Sequence, residues 1–286
     1  MIQSLTRRGF LQAAAAACSV AVQPAVAADD KDFGGFILGI QSYTFRNFDL
    51  EGALKRTKDC GLKHAEFYQK HCPITANADQ LKAFQKLCAD YDVKPVAWGV
   101  QRFTKNHDEN KKVFEFGKAL NLKNFSADPD PDSFDSLDKL CDEYKIAIAI
   151  HPHGPAGGGK LHRWYSSAVI LKAVKDHNPL IGTCLDTGHL IRTEQMGEKL
   201  VPEDEVKAMG ARNFGLHLKD HDNKRKTDVV YGKDGGVLNV VNVLKALKDV
   251  KFNGTISIEY EANANEPTAD VKACVEAFKE AVKKVG

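Results

Sequence analysis

The feature that most constrains the fold is an alternation of short β-rich runs with amphipathic helical stretches, repeated eight times from residue 36 onward. Residues 146–150 are apolar or small and uncharged, as in strands covered on both faces. We predict strands over Phe36–Ser42, His64–Tyr68, Lys94–Gly99, Lys123–Ala127, Ile146–His151, Ile181–Asp186, Asn213–Lys219 and Thr255–Tyr260. We predict helices over Leu50–Cys60, Asn77–Tyr91, Asp108–Leu120, Ser133–Tyr144, His162–Asp176, Pro202–Met209, Val237–Asp249 and Thr268–Lys284.

Eight strand–helix units without a long Pro/Ser linker predict one α/β domain with a parallel sheet. A closed barrel accounts for eight such units, and a doubly wound open sheet is the alternative. A dinucleotide-binding version of the open sheet needs a Gly-x-Gly-x-x-Gly turn after its first strand, and the chain has none there. We therefore predict a single (β/α)8 TIM barrel over residues 28–286.

The first 27 residues have the pattern of a cleavable export signal. Arg7 and Arg8 precede a short Ala-rich apolar stretch that ends on Ala25 and Ala27, a small-x-small cleavage site. The arginine pair resembles a twin-arginine signal, which predicts a periplasmic or secreted protein. A frayed N-terminal helix explains neither the arginines nor the alanines. Lipid anchoring at Cys18 is the less favoured alternative, because Ala rather than Leu stands three positions before it.

Charge and hydropathy narrow the range of partners. The chain has 40 Lys and Arg against 38 Asp and Glu, and removal of residues 1–27 leaves the two counts equal. This neutrality argues against nucleic acid or anionic membrane as a partner. No apolar run after residue 30 approaches the length of a bilayer span, so we expect no membrane contact after signal cleavage. Cysteine pairing and homo-oligomerisation are left open by the sequence.

Four consecutive predicted strands, the fifth to the eighth, each end on a residue that can bind a metal. These residues are His151, Asp186, His217 and Glu259. Neighbouring strands lie about 4.8 Å apart, so side chains at the carboxyl ends of a barrel can converge. A lone Asp there is often a helix cap and a lone His a hydrogen-bonded residue. Four at matching depth predict one divalent ion, and two imidazoles with two carboxylates suit Mn²⁺, Zn²⁺, Co²⁺ or Fe²⁺ better than Ca²⁺.

Residues after the earlier strands and in one loop are candidates for substrate binding. Arg46 and Glu66 can bind hydroxyl groups, Trp98 can stack on a sugar ring, and His153 opens a glycine-rich segment over the barrel mouth. Packing at the rim is the alternative interpretation for Trp98. The charged segment 220–228 is predicted to be a solvated loop.

The motifs Asp186-Thr187-Gly188-His189, His217-Leu218-Lys219-Asp220 and Ile258-Glu259-Tyr260 occur in this order. In these motifs the chain resembles the xylose-isomerase-like barrels (the AP endonuclease family 2 type), which include sugar isomerases, ketose 3-epimerases and endonuclease IV. The resemblance implies that Asp186, His217 and Glu259 bind metal. It also implies that His189 contacts the substrate, or a further metal as in the nuclease.

The sequence departs from the family's epimerases at the fifth strand. Those enzymes carry a glutamate where this chain has His151, within His151-Pro152-His153-Gly154. Here the chain resembles a subgroup of secreted sugar phosphate isomerase/epimerase-like proteins with His-x-His-Gly. An imidazole keeps a metal ligand but removes one of the two carboxylates that an epimerase uses as acid and base. Glu259 is then the carboxylate that remains.

These residues predict a metal-dependent enzyme acting on a small carbohydrate. The ion acidifies the hydrogen next to a sugar carbonyl and stabilises the enediolate. Glu259 is the first choice for the base, with Glu66 or His153 as alternatives, and Lys219 neutralises the developing oxyanion. Proton return gives isomerisation or epimerisation. Loss of a β-substituent makes the enzyme a lyase, or a hydratase in reverse, acting on 3-keto-glycosides or their unsaturated products.

Two other classes of function remain as alternatives. An endonuclease-IV-like repair enzyme needs further histidine ligands from early strands and a basic groove, and the neutral charge and export signal argue against it. A non-catalytic carbohydrate-binding barrel would hold its metal with no open coordination position.

Overall fold

The computed structural model describes residues 32–286, and in them eight parallel strands close into a barrel. Around the barrel the strands follow the order β1-β8-β7-β6-β5-β4-β3-β2. This confirms the predicted (β/α)8 TIM barrel. The predicted signal peptide, residues 1–27, lies outside the described residues. The barrel strands β1 to β8 are, in chain order, Ile37–Gln41, His64–Phe67, Lys94–Gln101, Asn124–Ala127, Ala147–Ile150, Ile181–Asp186, Asn213–Leu218 and Thr255–Ile258.

The α-helices pack around the barrel, and most begin where a short polar side chain caps the first turn. Asp49, Asn77, Asn106 and Ser166 each accept a hydrogen bond from a backbone N–H two or three residues ahead. The helices α1 to α9 are Leu50–Asp59, Ala78–Asp90, His107–Ala119, Phe134–Tyr144, Ser167–Val174, Thr187–Arg192, Pro202–Met209, Val240–Asp249 and Thr268–Val282.

The structure corrects the predicted elements in three places. Helix α5 begins at Ser167 rather than His162, because Ser166 caps it and residues 162–165 form a turn. Helix α6 was not predicted, since it has only six residues and directly follows β6. The glycine-rich segment that His153 opens, for which no strand was predicted, contributes to a short antiparallel pair of strands, Pro155–Ala156 with Lys160–Leu161.

The core lies between the barrel and its helices. Ile148, Leu185, Leu216 and Ile256, one on each of four adjacent strands, are fully buried. The cysteines of residues 32–286 are all buried and free, so this part of the chain contains no disulfide. No helix within the described range has the length and apolar character needed to cross a bilayer.

Candidate metal centre and cavity

Strand register brings the four predicted ligands to one level of the barrel. Asp186 on β6 is the register partner of His217 on β7. Ile258 pairs with Leu218, which puts Glu259 directly beyond the end of β8. His151 follows β5, and its backbone N–H donates to Ala127 O on the neighbouring strand. Because parallel strands share one carboxyl edge, these side chains enter the same space.

The ligand atoms of these residues form a compact cluster. His151 Nε2 lies 3.0 Å from His217 Nδ1 and 3.4 Å from Asp186 Oδ2. His217 Nδ1 lies 2.9 Å from Glu259 Oε2 and 3.9 Å from Asp186 Oδ2. Atoms bound to one transition-metal ion at about 2.1 Å lie about 3–4 Å from one another. We call these four residues the metal cluster; all are buried, and their ligand atoms lie within 4.8 Å of each other.

The hydrogen bonds of His217 indicate which of its nitrogens carries the proton. Its Nε2 lies 2.9 Å from Glu66 Oε2, and an ionised carboxylate can only accept. Nε2 therefore donates, and the lone pair of a neutral His217 points from Nδ1 into the cluster. There it faces a second nitrogen and two carboxylate oxygens, which is repulsive unless a proton or a metal ion lies between them. Asp186 Oδ2 is also buried and makes no hydrogen bond, although Lys219 Nζ lies 3.2 Å from it, so the cluster fits a divalent cation.

Burial and neighbouring charges together set the ionisation of the metal cluster. Burial would lower the pKa of His217, but Glu66 and Glu259 raise it well above its ordinary value. Burial would raise the pKa of Glu259, but Lys219 and His217 lower it to about 2. Lys219 likewise outweighs burial and holds the pKa of Asp186 well below its usual range. Both carboxylates are therefore ionised at neutral pH, as metal ligands must be.

Asp186 uses its two carboxylate oxygens for different contacts. Oδ1 accepts a 2.7 Å hydrogen bond from His189 N and caps helix α6, whereas Oδ2 faces the metal cluster. The Thr187 hydroxyl donates to Lys219 O and accepts from Lys219 N, at 2.6 and 2.9 Å, which fixes the ends of β6 and β7 together. The helix-cap and metal-ligand interpretations of Asp186 are thus compatible, because they involve different oxygens.

Lys219 is a buried cation surrounded by carboxylates. Its Nζ lies 2.6 Å from Glu261 Oε1 and 3.2 Å from both Asp186 Oδ2 and Glu259 Oε2. Burial would lower the pKa of Lys219, but these carboxylates raise it well above its ordinary value. Its stem crosses Gly188, where a Cβ would lie 2.6 Å from Lys219 Cγ. Lys219 does not line the cavity described next, so its position favours an electrostatic role over contact with a substrate.

A cavity of about 430 Å³ opens at the carboxyl ends of the strands. Of the metal cluster, His151 and Glu259 line this cavity, whereas Asp186 and His217 lie behind them. An ion held by the cluster would therefore be open to the cavity on one side, as catalytic metals are. The cavity is lined by Gln41, Tyr43, Tyr68, Gln69, Trp98, Gly99, Val100, His151, His153, His189, Arg192, Glu259 and Glu261.

Two further histidines in the cavity wall are neutral. Burial lowers the pKa of His153 to about 3 and holds the pKa of His189 well below its ordinary value. Gly154 N donates to His189 Nδ1 over 3.2 Å, so the ring proton of His189 is on Nε2. The ring of His153 lies 4.7 Å from that of His151 and 4.9 Å from that of His189. These imidazoles offer hydrogen bonds rather than charge to a ligand.

A comparison with models of known protein families identifies the family of this chain. The family model described as "Xylose isomerase-like TIM barrel" matches residues 54–281, a range that includes the whole metal cluster. The chain belongs to this family. No curated protein matches the chain.

Several solved structures share the fold. A putative uncharacterized protein from Parabacteroides distasonis is 28% identical, with a TM-score of 0.63 over 85% of this chain and 97% of that one. A D-tagatose 3-epimerase-like protein is 17% identical, with a TM-score of 0.67 over 87% of this chain and 98% of that one. A D-psicose 3-epimerase, solved in the presence of D-fructose, is 12% identical, with a TM-score of 0.63 over 87% and 98%.

The other predicted site residues of this xylose isomerase-like barrel divide between the cavity and its surroundings. Trp98 and His153 line the cavity, and Trp98 Nε1 donates to Cys72 O. Arg46 is not in the lining: its Nη2 donates to Glu261 O, and its guanidinium lies over the Tyr43 ring. Glu66 is 2% exposed and bonded to His217, a position that argues against direct contact with a substrate.

Sequence reasoning missed two charged residues in the cavity wall. Glu261 follows Glu259 by two positions, and alternate residues of an extended chain share a side. Arg192 follows His189 by three positions on α6, and residues at that spacing share a helical face. These two spacings were the available signals. The exposed ring of Tyr43 at the cavity mouth carried no comparable signal.

The prediction of a solvated loop over residues 220–228 is wrong for both ends of the segment and confirmed for residues 224–226 at its tip. Asp220–Asp222 pairs with Thr227–Val229 as a hairpin, and Asp220, His221 and Asp228 are buried. Asp228 accepts hydrogen bonds from Arg192 Nη2 at 2.8 Å and from His221 Nδ1 at 2.9 Å. Asp228 thus holds Arg192 at the cavity, whereas Lys224, Arg225 and Lys226 at the tip of the hairpin are exposed.

Proposed function

We propose that the protein is a divalent-metal-dependent sugar isomerase or epimerase that moves a proton next to a carbonyl group. The observation that carries the proposal is the place of Glu259, which belongs both to the metal cluster and to the cavity lining. The metal requirement rests on the cluster's two imidazoles and two ionised carboxylates. The sugars named for the epimerase neighbours, D-psicose and D-tagatose, support a carbohydrate as the substrate class.

Glu259 is the residue we assign to proton transfer. Within residues 32–286 its side-chain contacts with His217 and Lys219 go through Oε2, so Oε1 is free to face the cavity. A divalent ion, when bound, supplies Lewis-acid polarisation of a carbonyl oxygen. Oε1 of the ionised carboxylate then takes the proton from the carbon next to that carbonyl. Return of the proton to the adjacent carbon gives isomerisation, and return to the opposite face of the same carbon gives epimerisation.

The cavity walls supply binding and water exclusion for this reaction. His189 presents an Nε2–H group, and Arg192 and Glu261 present a donor and an acceptor suited to sugar hydroxyls. On the other side Tyr43 and Tyr68, whose rings lie 5.2 Å apart, offer an apolar surface for the face of a sugar ring.

One observation favours a second reaction of the same type. Because His151 stands at the fifth strand, the cluster holds one cavity-facing carboxylate, and epimerisation needs an acid or base on each face of the carbon. Elimination of a β-substituent needs a single base and an acid for the leaving group. Glu259 supplies the base and can pass the proton it has removed to the leaving oxygen, to which the neutral His189 Nε2–H group donates a hydrogen bond, so a lyase or hydratase acting on 3-keto-glycosides or their unsaturated products is the second candidate.

We also propose, from the N-terminal sequence, that the enzyme acts outside the cytoplasm. Arg7, Arg8 and the small-x-small sequence ending at Ala27 support export by the twin-arginine route and a periplasmic or secreted enzyme. Expression of the full chain in a bacterium, with and without Arg7→Lys and Arg8→Lys, tests this. Retention of the double variant in the cytoplasm is the expected result, and equal export of both forms would contradict it.

The reaction is tested by incubating the metal-loaded protein with a panel of ketoses and 3-keto-glycosides in deuterated water. Deuterium uptake at carbon without bond loss is expected for an isomerase or epimerase, and release of a leaving group indicates the lyase. Chelator-treated protein serves as the control and should be inactive. No exchange with any compound would overturn the proposal in favour of a binding protein.

A further inference from the structure

The carboxylate of Glu66 lies beneath the metal cluster, on the far side of the barrel interior from β7. Glu66 is on β2 and is 2% exposed. It does not line the cavity and is not one of the cluster's four residues. Its contact with the cluster is the 2.9 Å hydrogen bond between its Oε2 and His217 Nε2.

Four donors converge on this one carboxylate. Oε1 accepts from Gln41 Nε2 at 2.9 Å and from the Ser126 hydroxyl, and Oε2 accepts from His217 Nε2 and, at 3.3 Å, from the Ser257 hydroxyl. An ionised carboxylate has about four lone-pair sites, so its acceptor capacity is used up. A protonated acid would have to donate to one of the two serine hydroxyls, the partners here that can also accept, and would lose the hydrogen bond which that hydroxyl now donates. The ring of donors therefore holds Glu66 as an anion with a fixed orientation.

We propose that Glu66 is a positioning residue for His217, setting the tautomer and ring orientation that present Nδ1 to a metal ion. The inference rests on the proposed metal dependence. Because Glu66 accepts the hydrogen bond of the Nε2–H group, the proton stays on Nε2 and the Nδ1 lone pair is directed at the position shared with His151, Asp186 and Glu259. A carboxylate behind a ligating imidazole also makes that imidazole a stronger donor to the metal. The side chain acts through His217 and does not touch the substrate.

Substitution by glutamine disturbs this arrangement in either amide orientation. If the amide oxygen faces His217, the NH₂ group meets the donors of Gln41 and Ser126. If the NH₂ group faces His217, two N–H donors point at each other. This favours the tautomer with the proton on Nδ1, and a protonated Nδ1 cannot bind a metal. In both cases the volume of the side chain is retained, so the change is one of hydrogen bonding and charge.

The test is metal binding by purified Glu66→Gln and wild-type protein, measured with Co²⁺ and Zn²⁺ in competition with a chelator. We expect the Kd of the variant to be about 10–100-fold higher, which is the range found when the carboxylate partner of a metal-binding histidine is removed. A changed visible absorption spectrum of the Co²⁺ form is also expected. Thr183→Val is the matched control, since it removes another buried hydrogen bond of the barrel, 2.8 Å to Ile150 O, and should leave the Kd within about twofold.

The outcomes separate this inference from the proposed function. Wild-type protein without affinity for either metal would defeat the proposed function itself. Wild-type binding with an unchanged Kd and spectrum in Glu66→Gln would overturn the positioning role alone. An unchanged Kd with lost turnover would also overturn it, by making Glu66 a participant in proton transfer.

A second measurement needs no variant and so holds even if Glu66→Gln does not fold. Histidine labelled with ¹⁵N, in protein loaded with ¹¹³Cd²⁺, reports which ring nitrogen carries the metal and which the proton. For His217 we expect cadmium coupling at Nδ1 and a strongly downfield proton on Nε2. Coupling at Nε2, or a proton on Nδ1 of the loaded protein, would overturn the inference.

Discussion

The two sides of the barrel mouth differ in what they present to the cavity. The side built by β5 to β8 presents imidazoles and charged groups, namely His151, His153, His189, Arg192, Glu259 and Glu261. The side built by β1 to β3 presents Tyr43, Tyr68, Trp98 and Val100 together with two glutamines. The first side has the groups that can hold an ion and move a proton. The second offers mainly shape and apolar surface, so substitutions on the two sides should affect different kinetic constants.

The largest effect is expected for Glu259→Gln, on the charged side. Loss of a general base costs about 10²–10⁴-fold in rate, and the metal cluster loses a charged ligand as well. Deuterium exchange into the substrate measures the effect. Glu261→Gln, which changes a neighbouring cavity carboxylate outside the cluster, is the comparison and should act mainly on KM, because Glu261 is assigned to binding rather than to proton transfer. Turnover of Glu259→Gln near the wild-type rate would remove Glu259 from the role assigned to it.

The next effect is on stability, for Lys219→Met. Removing the cation from three partly or fully buried carboxylates should lower the free energy of unfolding by about 3–5 kcal/mol, measured by urea denaturation of metal-free protein. Lys86→Met is the matched control, because Lys86 Nζ also lies 2.6 Å from a carboxylate oxygen, that of Asp90, but on the exposed surface. Exposed pairs contribute about 0–1 kcal/mol. Equal losses in both variants would contradict the assignment.

Gly188→Ala tests whether the position of Lys219 depends on the bare backbone beneath its stem. The new Cβ would lie 2.6 Å from Lys219 Cγ and Cδ, so we expect a loss of about 1–3 kcal/mol in unfolding free energy together with weaker metal binding. Gly157→Ala is the control, because a Cβ there meets nothing within 4 Å. Wild-type stability and affinity in Gly188→Ala would mean that Lys219 moves without consequence.

Metal affinity should rise with pH. Glu66 and Glu259 overcome burial and raise the pKa of His217, so the metal-free protein holds a proton on both ring nitrogens of His217 at neutral pH. Binding must release the Nδ1 proton, which makes the affinity fall about tenfold for each unit that the pH drops below that pKa. Glu259, with a pKa of about 2, stays ionised throughout. Chelator competition between pH 6 and 8 measures the slope, and a flat profile would contradict the raised pKa of His217.

The smallest effect is expected on the apolar side, for Tyr43→Ala. The ring of Tyr43 is 37% exposed at the cavity mouth, and losing an aromatic contact of about 1 kcal/mol corresponds to a KM raised about fivefold. The value of kcat should stay within about twofold, because the ring is remote from the metal cluster. Tyr144→Ala, on the outer helix α4, serves as the control. A change confined to kcat would show that the two sides do not divide binding from chemistry.

Most of the barrel could be predicted, because the periodicity of apolar residues indicates amphipathic helices and short uncharged apolar runs indicate buried strands. The bounds of Ile181–Asp186 and Pro202–Met209 are the same in sequence prediction and structure. Helix α5 was predicted too long because residues 162–165 have a helical composition but form a turn that ends at the Ser166 cap. A local pattern does not reveal such a tertiary preference.

The site was predictable where charged residues stand at strand ends and less so elsewhere. His151, Asp186, His217 and Glu259 come together as expected because strand register is set by the fold. The pairing of Glu66 with His217 spans the barrel interior, and no spacing along the chain indicates it. No spacing indicates the contacts of Asp228 either. It lies in a charged segment that was predicted to face water, but it is bonded to Arg192 and His221.

Because Asp186 uses one carboxylate oxygen to cap helix α6 and the other to face the metal cluster, the position of this short helix affects the cluster. One oxygen starts the helix and the other faces the metal cluster, so any tilt of α6 rotates a candidate ligand. The same helix carries His189 and Arg192 into the cavity. A substrate that binds either side chain and shifts α6 would therefore change how tightly an ion is held. Substitutions in α6 made to alter substrate specificity would change metal affinity as well.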